Sequence, residues 1–191
     1  TIDGQRFHTG LHEGDADRGF CLQSVMKPVN YALALELMGE RHVHALVGRE
    51  PSGQGFNEIT LDARGRPHNP MINAGAILTA ALIRPSSPVK ARFDLIARLW
   101  KALAAGDEAG FDEAVYVSEK ANADRNHALA YFMREHGCFP DECEMHEALD
   151  LYFRCCALET DVRRLSCAAA TLANAGVCPV TERQVVSRES V

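Results

Sequence analysis

Residues 20–39 read FCLQSVMKPVNYALALELMG and predict a junction between a strand and a helix. The apolar run at residues 20–22 favours a short strand. Ser24 stands where the helix would begin, and Pro28 fits a first helical turn because its missing N–H needs no partner there. Apolar residues continue to Gly39, where we expect the helix to end. Gln23, Ser24 and Lys27 therefore lie where the strand gives way to the helix.

The rest of the chain has mostly helical patterns. Residues 48–71 are rich in glycine and proline, which predicts a long loop of the kind that is often functional. Further helices are expected at 40–47, 73–83, 89–105, 119–136 (capped by Ser118), 145–158 and 161–175. Almost all strand content is expected before residue 24, in the rough alternation of residues 5–9 and in the run at 20–22. The fold class is therefore mainly α with a small N-terminal β element, an α+β arrangement.

Composition excludes several classes of protein. The 191 residues are 47% hydrophobic and 24% charged, which is too apolar for a wholly disordered chain. The net charge of −6 argues against nucleic acid as a partner, because phosphate binding needs a basic surface. The longest apolar run, residues 74–83, is shorter than the roughly 20 residues of a membrane span. We therefore expect neither a nucleic-acid-binding nor a membrane protein.

The seven cysteines are odd in number and lie mostly among apolar neighbours. This usage is typical of reduced, buried thiols rather than of a disulfide scaffold. A zinc site is the sharper alternative, since Cys138, Cys143 and His146 have spacings close to those of metal ligands. No C-x-x-C pair or second ligand pair completes such a site. We expect no metal.

Ser24-Val25-Met26-Lys27 is an S-x-x-K tetrad. Helical residues three apart lie on one face, so the Lys27 amine can approach the Ser24 hydroxyl. A lysine can take the proton of a serine only when burial or neighbouring charges lower its pKa, and the apolar flanks favour burial. The simpler alternative is an N-cap serine beside an exposed lysine. The S-D-N and K-T-G elements that accompany this tetrad in β-lactamases do not occur here, which disfavours a β-lactam-binding enzyme.

Other polar residues are candidates for substrate binding. Asn69 and Asn73 stand at a predicted helix start, where Asn73 is expected to be an N-cap; alternatively, the two amides hold a carboxylate, an amine or an amide. Glu119 and Asn126 are seven apart, on one face of a single predicted helix, and together suit an α-amino group. Tyr152 lies within an apolar helix, where its hydroxyl needs a partner. A core tyrosine and a solvated helix face are the simpler alternatives.

Together these segments resemble one family, the serine-dependent glutaminases of bacteria and animals. Its motifs are matched in order along the whole chain, at residues 20–28, 48–53, 67–76, 118–119, 124–126 and 170–174. Several segments are especially similar to the animal kidney- and liver-type enzymes. The resemblance implies a β-lactamase- and penicillin-binding-protein-like fold. It also implies hydrolysis of L-glutamine to L-glutamate and ammonia without a metal or organic cofactor.

The resemblance also assigns roles to residues. Ser24 matches the nucleophile that forms a γ-glutamyl ester, and Lys27 matches its partner base. Tyr152 matches a residue that helps in proton transfer near both. The positions that match the lining of the glutamine pocket are Gln23, Ser24, Asn73, Glu119, Asn126 and Tyr152. Among them, Glu119 suits the substrate ammonium because it carries a carboxylate.

The family's catalytic domain is longer than this chain. We expect residues 1–191 to be a partial catalytic domain: strands and loop at 1–23, a helical region with the nucleophile at 24–178, and the start of a C-terminal sheet region at 179–191. The missing parts would supply two further tyrosines, a Lys-Ser-Gly element and an oxyanion-hole amide. Residues 53–67 match a mobile gating loop. Glu58 stands there in place of a lysine expected in animal enzymes, which disfavours activation by phosphate.

The resemblance further implies partners and compartment. The family forms homodimers and homotetramers, and its members work in the cytoplasm of bacteria or in the mitochondria of animals. The alternative reading is a non-catalytic, truncated relative that acts as a binding or assembly module.

Overall fold

The computed structural model describes all residues from 1 to 191 and contains eight α-helices and three very short strands. The helices are α1 (Met26–Met38), α2 (Glu40–Leu46), α3 (Asn73–Leu82), α4 (Val89–Leu103), α5 (Glu113–Ala121), α6 (Asp124–Glu135), α7 (Met145–Cys156) and α8 (Val162–Ala173). The strands are β1 (Phe20–Cys21), β2 (Gly110–Phe111) and β3 (Leu158–Thr160). The predicted fold class, mainly helical with a small sheet, is confirmed. No helix has the length and hydropathy needed to cross a lipid bilayer.

Helix α3 is the centre of the core. All ten of its residues are buried, as expected for a helix that is apolar on every side. It packs against α1, α6 and α7. Gly75 is required near its start, because a Cβ there would lie 1.8 Å from the Asn69 carbonyl oxygen. The loop before α3 therefore crosses directly over the helix at this glycine.

Helix α4 is amphipathic, packs mainly against α7 and α8, and reaches the end of α3 through one side chain. Ile96, Trp100 and Leu103 are fully buried along one face of α4. Arg92 on the same helix is also fully buried, and its guanidinium donates to the carbonyl oxygens of Ala80 and Ile83, both at 2.8 Å. These carbonyls lie at the end of α3, where the Ile83 carbonyl has no helical partner and the Ala80 carbonyl also accepts from the Ile83 N–H at 3.2 Å. Arg92 is thus a side-chain cap for the central helix.

The three strands form one antiparallel sheet in the order β1-β3-β2. In its register Phe20 is opposite Thr160 and Gly110 is opposite Glu159. The prediction that strands lie almost entirely before residue 24 is therefore wrong for two of the three. Residues 5–9 do not form a strand either, because they are exposed and no other segment supplies a hydrogen-bonding edge.

The single helix predicted over residues 119–136 is two helices, α5 and α6. Helix α5 begins earlier because the Asp112 side chain accepts a hydrogen bond from the Val115 N–H, which caps the helix. It ends where Asn122 folds back, since its backbone N–H and its side-chain amide both donate to the Ser118 carbonyl. Ser118 therefore lies within α5 and is not the predicted cap. The other predicted helices are present with ends shifted by up to two residues.

The residues considered for zinc do not form a ligand set. No group of three or more His, Cys, Asp or Glu side chains is placed to hold a metal ion, and all seven cysteines are free thiols. The Cys138 thiol donates to the Gly65 carbonyl at 3.2 Å. Cys143 instead lies beside Arg92. The two thiols thus have separate partners.

Candidate active site

Ser24 lies at the junction that the sequence predicts between β1 and α1. It is exposed, in a short 3-10 turn over Gln23–Val25 that leads directly into α1. Gln23 has a φ of 50°, in the left-handed region that residues other than glycine rarely adopt. Such backbone is found often at functional sites. This turn directs the chain from the sheet into the helix and leaves the Ser24 hydroxyl at the surface.

Lys27 is one helical turn after Ser24, and its side chain enters the protein. Only 6% of the residue is exposed. Its Nζ donates a hydrogen bond to Asn73 Oδ1 at 2.8 Å, and the Phe56 ring centroid is 5.9 Å from Nζ. No carboxylate forms an ion pair with Lys27. Burial therefore lowers the pKa of the Lys27 amine, and the nearby Cys156 thiol opposes this only in part.

The Asn73 side chain links Lys27 to Asn126. Its Oδ1 accepts from Lys27, and its Nδ2 donates to Asn126 Oδ1 at 3.0 Å. These two bonds fix the orientation of the amide, because each end has a defined partner. Asn73 is not the predicted N-cap: it is the first residue of α3, after Ile72, and its backbone N–H donates to the Phe56 carbonyl at 2.8 Å. The structure therefore favours the alternative, a polar residue of the site.

Gln23 and Glu119 form a second pair. Gln23 Nε2 donates to Glu119 Oε1 at 3.1 Å. Glu119 lies on α5, whereas Asn126 lies on α6, so the prediction that they share one helix face is wrong. Both residues nevertheless join the same region, because Glu119 contacts Gln23 beside Ser24 and Asn126 contacts Asn73 beside Lys27.

Tyr152 lies on α7 and is 5% exposed. Its hydroxyl is against the Cys156 thiol, one turn later on the same helix. Burial raises the pKa of Tyr152 well above its ordinary value, and the charges of Cys156 and Glu119 add to this effect. The hydroxyl makes no hydrogen bond to Ser24 or to Lys27 in this structure. Tyr152 is thus neutral and close to the site, and its expected part in proton transfer stays a prediction.

Sequence reasoning missed two residues of the site. Phe56 lies in the loop at residues 48–71, where its carbonyl holds the start of α3 and its ring faces Lys27. Cys156 lies beside Tyr152 and Lys27, and burial raises the pKa of its thiol to about 12. The density of glycine and proline marked the loop as functional. No sequence pattern distinguishes Phe56 within it.

The arrangement resembles one class of site, because an exposed serine follows a strand and a buried lysine stands one turn beyond it. Such a lysine can act as a base only when its charge is disfavoured, as it is here. A serine followed by a lysine three residues later is also the sequence pattern of serine–lysine acyl-transfer enzymes. The glutaminase family model matches residues 1–191, and the chain belongs to that family.

Individual relatives come from animals and bacteria. The chain is 46% identical over 190 residues to putative glutaminase 3 of Caenorhabditis elegans, covering 100% of this chain and 32% of the relative. It is 42% identical over 191 residues to the mitochondrial glutaminase liver isoform of Rattus norvegicus, covering 100% of this chain and 31% of the relative. The chain thus spans about a third of the length of these curated relatives.

The fold is shared with a solved structure. A crystal structure of a Bacillus glutaminase, determined in the presence of 4.3 M NaCl, superimposes with a TM-score of 0.86 at 31% identity. The alignment covers 92% of this chain and 59% of the Bacillus chain. The β-lactamase-like fold implied by the sequence motifs is therefore confirmed.

Proposed function

We propose that the protein containing this chain hydrolyses L-glutamine to L-glutamate and ammonia through an ester on Ser24. The observation that carries this proposal is the Lys27 amine, which is buried and held by Asn73 one turn from an exposed serine. Membership of the glutaminase family supports the substrate. The relatives are named glutaminases, and the rat relative is named as mitochondrial.

The acylation step uses the neutral form of Lys27. Ser24 Oγ forms a bond to the γ-carbonyl carbon of glutamine, and its proton passes to Lys27 Nζ. The carbon–nitrogen bond then breaks, and the proton moves from Lys27 to the leaving nitrogen, which departs as ammonia. A γ-glutamyl ester on Ser24 results. The amine is suited to both transfers because burial brings its pKa closer to neutrality.

The deacylation step runs through the same two residues. A water molecule attacks the ester carbon and gives a proton to Lys27 Nζ. The bond from carbon to Ser24 Oγ breaks, and the proton returns to the serine as glutamate is released. The neutral, buried Tyr152 hydroxyl assists these proton movements. No metal or organic cofactor enters either step.

Substrate binding is assigned to the polar side chains around the serine. The Glu119 carboxylate pairs with the α-ammonium of glutamine, because it is the negative group that contacts Gln23 beside Ser24. The amides of Gln23, Asn73 and Asn126 orient the substrate carboxylate and carboxamide. Amides suit this task because each can both donate and accept hydrogen bonds.

Assembly and compartment are part of the same proposal. We expect a homodimer or a homotetramer, with no nucleic-acid or membrane partner. The compartment follows the source, cytoplasmic for a bacterium and mitochondrial for an animal. The division into a segment with strands at 1–23, a helical region at 24–178 and the start of a further sheet region at 179–191 stays a prediction. The absence of activation by phosphate, inferred from Glu58, also stays a prediction.

The test is ammonia release from L-glutamine by the protein expressed from its complete gene. Ser24→Ala should reduce the rate by about a thousandfold or more, because it removes the nucleophile. Ser166→Ala, an exposed serine on α8, is the matched control and should leave the rate unchanged. A Ser24→Ala rate equal to wild type would exclude the ester. A folded wild type that releases no ammonia would favour the non-catalytic alternative.

A further inference from the structure

A second polar cluster lies between α5 and α7 and is centred on the Asp150 carboxylate. Asp150 Oδ1 accepts hydrogen bonds from the Tyr116 hydroxyl at 2.5 Å and from Lys120 Nζ at 2.6 Å. Asp150 Oδ2 accepts from Arg154 Nε at 2.7 Å. Lys120 and Arg154 also donate to the Tyr116 oxygen, at 3.1 and 3.2 Å. Four side chains from two helices thus form one closed network, which we call the Asp150 cluster.

The Asp150 cluster is stronger than an ordinary surface ion pair. Its carboxylate is only 20% exposed and has three donors, two of them cationic. Burial raises the pKa of Asp150, but the hydrogen bonds from Lys120, Tyr116 and Arg154 outweigh it and lower the pKa overall. The carboxylate is therefore charged at neutral pH. Isolated exposed pairs contribute little to stability, whereas a shielded network can hold two helices together.

The two helices that this cluster joins also carry residues of the site. On α5, Tyr116 and Lys120 are four residues apart and face the cluster, while Glu119 faces Gln23. On α7, Asp150 and Arg154 face the cluster, while Tyr152 and Cys156 form a separate stripe. Residues four apart share a helix face, so each helix has one face for the cluster and another for the site.

The location of Glu119 depends on this contact between helices. Its one hydrogen bond to another side chain is to Gln23, and both of these residues are accessible to solvent. Helix α5 has nine residues; its Tyr116 side chain is buried in the core with Val115 beside it, and the hydrogen bonds of Tyr116 and Lys120 to Asp150 join the helix to α7. The Asp150 cluster lies within one turn of Glu119 and is the polar contact that joins this part of α5 to α7.

We propose that Asp150 is a positioning residue, which locks α5 against α7 so that the Glu119 carboxylate is held at the site. The proposal rests on the proposed function, in which Glu119 pairs with the α-ammonium of glutamine. Asp150 itself touches neither substrate nor Ser24. Its loss should weaken substrate binding more than the chemical step, because an ammonium contact is present in both the ground state and the transition state.

The test compares Asp150→Asn with wild type by steady-state kinetics and by hydrogen exchange. The amide is close in size to the carboxylate but carries no charge, so the cluster loses both of its ion pairs. We expect the KM for glutamine to rise about fivefold or more, with kcat within about twofold. Backbone amides of residues 113–121 should exchange roughly tenfold faster, while those of residues 124–135 keep their rates.

Two further variants separate positioning from general stability. Asp94→Asn on α4 removes the exposed pair between Lys90 and Asp94 and should change neither KM nor exchange in α5. Asp150→Glu restores the charge and should recover most of the KM. If the KM of Asp150→Glu stays as high as that of Asp150→Asn, packing and not the charge of the cluster sets KM, and the proposal is wrong.

The outcomes also separate this proposal from the proposed function. Unchanged hydrogen exchange in residues 113–121 of Asp150→Asn would contradict the claim that Asp150 holds α5 against α7, whether or not the protein hydrolyses glutamine. Faster exchange in these residues with an unchanged KM would contradict the claim that the Asp150 cluster holds the Glu119 carboxylate at the site. If wild type neither binds nor hydrolyses glutamine, the proposed function fails, while the exchange data still decide whether Asp150 holds α5.

Discussion

The Lys27 amine and the Asn73 side chain are joined by a 2.8 Å hydrogen bond in which Asn73 Oδ1 is the acceptor. The partner of this buried amine is neutral, so nothing nearby favours the charged form strongly. A carboxylate at the same place would do so. The choice of an amide at position 73 therefore keeps the pKa of Lys27 low while still holding its Nζ in place.

Asn73→Asp should consequently shift the pH dependence of activity. The new carboxylate would favour protonated Lys27 and raise its pKa, and a protonated amine cannot accept the Ser24 proton. The acidic limb of kcat/KM, along which activity rises as Lys27 loses its proton, should move upward by roughly one to three pH units. Asn126→Asp, one hydrogen bond further away, should cause a smaller shift. If this limb of kcat/KM lies at the same pH in wild type and in Asn73→Asp, the role of Lys27 as the base is contradicted.

Protein stability should depend on pH through the same lysine. Because burial lowers the pKa of Lys27 in the folded state, the unfolded chain binds more protons between that value and the unfolded value of about 10.4. The free energy of unfolding then rises with pH across this window. In Lys27→Met this pH-dependent contribution to the free energy of unfolding is absent. Denaturant unfolding at several pH values from neutrality up to about 10.4 should show the free energy of unfolding of wild type rising relative to that of Lys27→Met as this window is crossed, and parallel curves throughout would contradict the lowered pKa.

The sequence could predict the central parts of this molecule because their signals are local. The S-x-x-K tetrad places Ser24 and Lys27 one turn apart, and the apolar run after Asn73 indicates a buried helix. Both features are present. The confirmed fold class followed from the same helical patterns and from motifs spread along the chain.

Other features depend on contacts that no local pattern reveals. Strands of two or three residues, such as Gly110–Phe111, have no periodicity and exist only because β3 supplies a partner. The break between α5 and α6 is set by the side chains of Asp112 and Asn122, whose capping competes with helical continuation. Phe56 and Cys156 reach the site through the tertiary fold.

The buried cap at the end of α3 predicts a large loss of stability in Arg92→Met. The substitution leaves the Ile83 carbonyl oxygen without a donor and removes one of the two donors to the Ala80 carbonyl oxygen, in a buried region. We expect the free energy of unfolding to fall by about 3 kcal/mol, measured by urea denaturation. Arg98→Met, at an exposed position of the same helix, should change it by less than about 0.5 kcal/mol. A similar small change in Arg92→Met would show that the cap is dispensable.

The close approach of the loop to α3 predicts that position 75 accepts only glycine. In Gly75→Ala the new methyl group would lie 1.8 Å from the Asn69 carbonyl oxygen, so the backbone of the loop must move. Asn69 also accepts hydrogen bonds from the N–H groups of Met71 and Ile72 at the start of α3. Movement there displaces Asn73, and with it the acceptor of Lys27.

We expect Gly75→Ala to lower the free energy of unfolding by about 3 kcal/mol or more, because the clash is with backbone atoms that cannot change rotamer. Activity of the remaining folded protein should also fall, since the Asn73 amide no longer meets Lys27. Gly55→Ala is the matched control: its methyl group would meet only the Glu58 and Asn57 side chains, at ordinary distances of 3.5 and 3.8 Å. Thermal unfolding and ammonia release measure the two effects, and a stable, active Gly75→Ala protein would refute the packing described for this loop.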